Sequence, residues 1–169
     1  MDVRLREENA LNETEVETIK GLLVQGFPDE PCFADRIYYK QIPHCRVLAE
    51  IDGIIVGQCG LDHRVISTSE GPARVFGVID VCVAKSRRGK GLALEILQWV
   101  EELAVRSNVD FLMLFASDPR LYLRAGYQSP KTVLRWVAID EHECHGVFEE
   151  QESGNETRAK TCLPSLEGQ

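Results

Sequence analysis

The stretch VAKSRRGKGLALEIL, residues 83–97, decides the fold. It places Arg87, Arg88, Lys90 and two glycines, Gly89 and Gly91, between an apolar run and a leucine-rich run. Glycines let backbone N–H groups approach a ligand closely, and a helix starting near Gly91 adds the positive end of its dipole. Such a turn suits phosphate, with Arg87, Arg88 and Lys90 as mobile cations for the outer anionic oxygens. The alternative is a solvated turn with exposed basic residues. Two nucleotide-binding patterns fail on residue identity. A P-loop needs Ser or Thr after its lysine, but Gly91 follows Lys90, and Ala84 stands where its first glycine belongs. A dinucleotide fingerprint needs its glycines directly after the strand, whereas Lys85 to Arg88 lengthen this turn and Leu94 takes the third glycine position.

Outward from the turn, RVFGVIDVCV (74–83) reads as a strand, and Leu92 to Arg106 carries apolar residues at 92, 96, 100 and 103, an amphipathic helix. FLMLFA (111–116) is a continuous apolar run, as in a strand covered on both faces. Strand, helix and strand make a right-handed crossover, so Val78 to Val83 is expected parallel to and beside Phe111 to Ala116. Upstream, RVLAEI, Asp-Gly and IIVGQCGLDHRVI form a hairpin, because Asp52-Gly53 supplies the positive φ of a tight turn. Val3 and Leu5 alternate with charge in a first strand, and Asn12-Glu13-Thr14-Glu15 caps a helix with Val16, Ile19, Leu22 and Leu23, ended by Gly26-Phe27-Pro28. A short helix is expected around Phe33 to Tyr39. After Pro119 a short helical segment runs to Ala125, stopped by Gly126, and Thr132 to Ile139 reads as a strand. Residues 1–140 thus read as one domain, with 141–169 an acidic tail or an extra strand.

The net charge of −8 argues against sequence-independent binding to nucleic acid, which needs a basic face. No apolar stretch reaches membrane-spanning length, and MDVRLREENA has no apolar signal core. Six scattered cysteines without a CxxC pair then read as free thiols in the cytoplasm. His142, Cys144 and His145 lack metal-ligand spacing, so no metal is expected. The glycosylation patterns at Asn12 and Asn155 read as chance matches.

Arg88-x-x-Gly91-x-Ala93 resembles the acyl-CoA pyrophosphate loop of the GCN5-related N-acetyltransferases (GNAT). The pieces around it follow that family's order: an apolar strand end (Val81-Cys82-Val83), the loop, an amphipathic helix, a buried strand and the aromatic LYLRAGY segment, Leu121 to Tyr127. The resemblance covers about residues 46–139 and implies a mixed α/β (α+β) fold. Its central sheet is mostly antiparallel, with one splayed parallel strand pair, flanked by helices. It implies that acetyl-CoA is the co-substrate, with the pantetheine arm along Val81, Cys82 and Val83 and the pyrophosphate on Arg88, Gly89, Lys90, Gly91, Leu92 and Ala93. Tyr122 matches the tyrosine that protonates the departing thiolate.

Transfer of acetyl to an amine needs a neutral nucleophile, yet lysine-like amines titrate near about 10.4 and thiols near about 8.5. A general base or water relay should therefore help, and N–H groups of the splayed strand can stabilise the oxyanion. Asp80 is the carboxylate nearest the loop on its strand and the first candidate base; His63 and a water relay stay open. The acceptor is expected to be a small-molecule amine more than a protein, and a homodimer stays open. A second class of function is also open: an acyl-CoA-binding sensor or interaction domain without catalysis.

Overall fold

The computed structural model describes residues 1–130, 132–140, 143–152 and 157–162. β1 (Asp2–Glu7) pairs antiparallel with β2 (Cys45–Ile51), and β2 with β3 (Ile54–Thr68) across the Asp52-Gly53 turn, where φ is 53° and 75°. Both positive values fit a primed turn that matches strand twist. β4 (Gly71–Val83) continues the meander antiparallel to β3.

α1 (Glu13–Gly26) begins as its sequence requires: the Asn12 side chain accepts from the Glu15 N–H at 2.9 Å, and the Glu15 carboxylate accepts from the Asn12 N–H at 2.8 Å. This reciprocal cap satisfies two otherwise orphaned donors. Ile19, Leu22 and Leu23 are buried with Phe33, Leu48 and Cys82 on one face of the sheet. The C-terminal end of α1 closes on β4, since a Cβ at Gly26 would stand 2.9 Å from the Cys82 Cβ.

The helix expected around Phe33 to Tyr39 is instead a 3-10 turn, Pro31–Ala34. Among the described residues past Ala34, no N–H of Ile37, Tyr38 or Tyr39 donates to the carbonyls of Phe33, Ala34 or Asp35, and the chain is held by side chains: Arg46 donates to the Ile37 oxygen, and Arg36 donates to those of Tyr38 and Tyr39 at 3.1 and 2.8 Å.

α2 (Leu92–Arg106) buries Leu92, Ile96, Leu97, Val100 and Ala104 against the opposite face, above Val47, Cys59, Leu61 and Val78. The chain then enters β5 (Phe111–Phe115), which runs parallel to β4. The pairing differs from the expected one. It joins Val75, Phe76 and Gly77 to Phe111, Leu112 and Met113, so Val78 to Val83 runs on without β5 beside it. Two features explain the divergence. The pair is pinned at its start, where the Arg74 N–H donates to Asp110 Oδ2 at 2.7 Å and the Asp110 N–H to the Arg74 carbonyl at 2.8 Å. Further on, Asp80 takes φ 54° in a bulge that redirects β4.

α3 (Arg120–Arg124) follows, then β6 (Thr132–Asp140), β7 (Glu143–Glu152) and β8 (Thr157–Thr161). β8 pairs antiparallel with the outer edge of β5, giving the order β1-β2-β3-β4-β5-β8, while β6 and β7 form a separate two-stranded ribbon. The fold is thus mixed, mostly antiparallel and splayed at the parallel pair β4 and β5. Among the described residues no helix is long and apolar enough to cross a membrane. His142 and Asn155 lie outside the described residues.

Candidate active site

The glycine-rich turn leaves β4 through a 3-10 turn, Lys85–Arg87, and delivers Gly91 as the N-cap of α2. Gly89 and Gly91 have φ of 76° and 85°, a region that costs a side-chain-bearing residue, and a Cβ at either would meet no neighbour. Space is therefore open over the loop. Among the described residues nothing accepts a hydrogen bond from the N–H groups of Gly89, Lys90, Gly91, Leu92 or Ala93. These donors lie at the start of a fifteen-residue helix, where the dipole favours an anion.

Arg88 departs from its expected role as a mobile cation. Its guanidinium donates to the Val83 carbonyl at 3.0 Å and the Gln25 carbonyl at 3.2 Å, tying the end of β4 to the end of α1. Lys85 and Lys90 remain exposed beside the loop.

Below the loop lies the divergence of β4 from β5. Val81, Cys82 and Val83 have β3 on one side, through Gln58↔Cys82 and Gly57↔Val83, and no pairing with β5 on the other. Backbone polar groups at such an edge need a partner.

The bulge sets two residues, Asp80 and Val81, against the single Cys59 between the pairs Gln58↔Cys82 and Gly60↔Ile79. Asp80 Oδ2 is buried and has no hydrogen-bond partner among the described residues. Burial raises the Asp80 carboxyl to about 6; Arg46 opposes this, while Glu8, Asp62 and Glu30 add to it. A carboxylate so placed titrates near neutrality, where a proton acceptor is useful.

Tyr122, on α3, is half-buried, and its ring meets Tyr127 edge-on at 5.9 Å. Burial first, then nearby thiols and the carboxylates of Asp118 and Asp80, push its phenol up to about 12. It therefore carries its proton at neutral pH. Gly126, at φ 86°, turns the chain so that the Tyr127 N–H bonds the Tyr122 carbonyl at 2.9 Å.

Comparison with known proteins places the chain that carries this loop, open strand edge and phenol. A family described as an acetyltransferase (GNAT) domain matches residues 8–129. The chain belongs to that family. No curated protein gives a significant match. Among solved structures, an aminoglycoside 6'-N-acetyltransferase complexed with coenzyme A is similar at a TM-score of 0.67 and 16% identity, over 97% of this chain and 98% of that one. The aminoglycoside 6'-N-acetyltransferase from Enterococcus faecium gives 0.66 and 16%, over 97% and 98%. A GNAT family N-acetyltransferase from Escherichia coli in complex with CoA gives 0.65 and 15%, over 96% and 81%. At these identities the likeness is one of fold.

Within this GNAT domain the candidates separate. The Asp80 carboxylate is among the groups that raise the Tyr122 phenol, so the two stand in one electrostatic neighbourhood. His63 does not join them. It pairs with Phe76, where β4 and β5 are still together, and its ring rests on Phe76 at 5.2 Å. Cys82 is buried and its thiol is pushed up to about 11 by that burial, which makes it a small packing residue and not a nucleophile. The sequence reading missed Arg46, Gln58 and Glu8, a buried polar group behind the bulge. Their signal was present as a lone arginine opening RVLAEI and a glutamine within IIVGQCGL, each a polar residue where an apolar one would pack.

Proposed function

We propose that the chain is an acetyl-CoA-dependent N-acetyltransferase that acetylates a primary amine. The observation that carries this is the unclaimed N–H groups of Gly89 to Ala93 following on the Val81 to Val83 edge that β5 leaves uncovered. A diphosphate fits the first, an amide-bearing arm the second. Two solved structures with this fold were obtained with coenzyme A, which supports the same reading.

Acetyl-CoA would supply the activated acetyl group as a thioester. The chain's own part is proton handling and orientation. Asp80 accepts the proton that the attacking ammonium must lose, and Tyr122 donates one to the departing sulfur. N–H groups on the open edge of β4 can stabilise negative charge on the thioester oxygen. Because the Asp80 carboxyl titrates at about 6, turnover should rise as pH increases through that value. Below it the carboxyl is protonated and cannot accept.

The acceptor in this reading is a small cationic amine, favoured by the Glu30 and Asp62 carboxylates around Asp80 and by the net charge of −8. The test is a panel of polyamines, aminoglycosides, amino acids and lysine peptides with acetyl-CoA, followed by release of free thiol. Turnover of at least one small amine is expected. Coenzyme binding with no acetylated product across the panel would replace the enzyme by a sensor.

A further inference from the structure

What fixes Asp80 lies one layer behind the cleft. Arg46 is fully buried, and a cation in that position requires partners. Its Nε and Nη2 donate to the two Glu8 oxygens at 2.7 and 2.9 Å, and Nη2 also reaches the Ile37 carbonyl. Its Nη1 donates to Gln58 Oε1 at 2.9 Å. That contact decides which way the Gln58 amide points: its Nε2 donates to the main-chain oxygen of Asp80 at 2.6 Å. Gln58 is itself fully buried. A hydrogen-bonded chain therefore runs Glu8, Arg46, Gln58, Asp80 and ends on the bulge residue, whose φ of 54° needs outside support.

We propose that Arg46 and Gln58 are positioning residues for Asp80: Gln58 clamps the bulge that sets where the carboxylate stands, and Arg46 holds Gln58 while presenting buried positive charge to that carboxylate. The inference rests on Asp80 being the base of the proposed acetyl transfer. The groups facing Asp80 come from every element around it. They are Arg46 on β2, Glu8 in the turn after β1, Asp62 on β3, Glu30 before the 3-10 turn, Cys82 on β4 and Tyr122 on α3. Arg46 is the positive one. Asp62 is itself approached by His44 Nδ1 at 3.4 Å and Arg64 Nη2 at 3.2 Å.

A buried ion pair without influence on Asp80 would change stability and leave the Asp80 titration where it is. Positioning makes a different demand: removing Arg46 and removing Glu8 must move Asp80 in opposite directions. Carbon-13 NMR titration of the Asp80 carboxyl in the full chain, assigned with Asp80→Asn, reads this directly. The pH profile of kcat/KM reads it through catalysis. In Arg46→Met the carboxyl midpoint and the acid limb should both rise by about one pH unit or more; in Glu8→Gln both should fall by about half a unit.

Should Arg46→Met fail to fold, Glu8→Gln, which keeps side-chain shape, carries the test alone. A midpoint that stays in place in the folded variants, or rises in Glu8→Gln, overturns the positioning. An acid limb that stays while the midpoint moves removes Asp80 as base and the inference with it. Absence of turnover in the wild type, with midpoints moving as expected, instead contradicts the proposed enzyme and leaves the coupling of Arg46 to Asp80 standing.

Discussion

In the proposed reaction Tyr122 and Asp80 would have opposite proton duties, and burial raises both groups. A half-buried phenol at about 12 is a held proton, and a carboxyl at about 6 is an acceptor just above that value. Tyr122→Phe removes only the hydroxyl and leaves the ring against Tyr127, so kcat should fall about 100-fold or more while KM for acetyl-CoA stays nearly constant. Unchanged kcat in steady-state kinetics would reduce Tyr122 to packing. Asp80 also has a stability consequence. Between its ordinary value of 3.8 and about 6, the folded chain keeps a proton that the unfolded chain has released. Stability therefore declines as pH rises through that window, and above it the ionised group costs on the order of 2 kcal/mol. Asp80→Asn tolerates the left-handed backbone and should stabilise the fold by about 1–2 kcal/mol at pH 8 and hardly at all near pH 4, as denaturant melts at the two values would show. A gain independent of pH would mean that Asp80 is not strained by its charge. At this scale the sequence was legible where residue identity alone selects a conformation, as at Gly89 and Gly91. It was illegible where a side chain's role depends on partners distant in sequence: Arg46 bonds Glu8, 38 residues away, and nothing local announces that.

α2 shows the same division one level up. Its amphipathic spacing and the glycine at its N-cap made the helix and its start readable, because both signals are local. The same holds for α1, whose Asn12–Glu15 cap is written in four consecutive residues. The Phe33 to Tyr39 stretch departs from its expected helix where Arg36, and Arg46 from β2, hold the Ile37, Tyr38 and Tyr39 carbonyls, contacts that no propensity rule contains. The loop before α2 gives a sharp prediction. Gly91→Ala meets open space, so its cost is conformational, about 1–2 kcal/mol for a side chain held at φ 85°. If the loop relaxes to avoid that strain, its N–H groups swing away from the ligand. Affinity for coenzyme A should drop about tenfold or more, while the helix content of the free protein stays near wild type by circular dichroism. Wild-type affinity in Gly91→Ala would show that the turn does not hold the anion.

Across the whole molecule, the six-stranded sheet is two antiparallel units joined by three parallel residue pairs, β1 to β4 on one side and β5 with β8 on the other. Each unit keeps its own ladders, so the seam between them can open without loss of the pairing inside either. The parallel crossover was legible from strand, helix and strand in sequence, since handedness and adjacency follow from chirality. Its register was not, because apolar residues run through both Val75–Gly77 and Val78–Val83, and the choice is made by Asp110 and by the bulge at Asp80. Residues 143–152 and 157–161 add a ribbon strand and an edge strand whose partners, β6 and β5, could not be read from their own composition. Everything proposed for the site depends on the open seam and the loop above it gripping one extended ligand. Isothermal titration of the wild-type chain with acetyl-CoA tests that most directly. Saturable binding with one ligand per chain is expected, weakened in Gly91→Ala; no binding heat at several temperatures, for either acetylated or free coenzyme A, would contradict it.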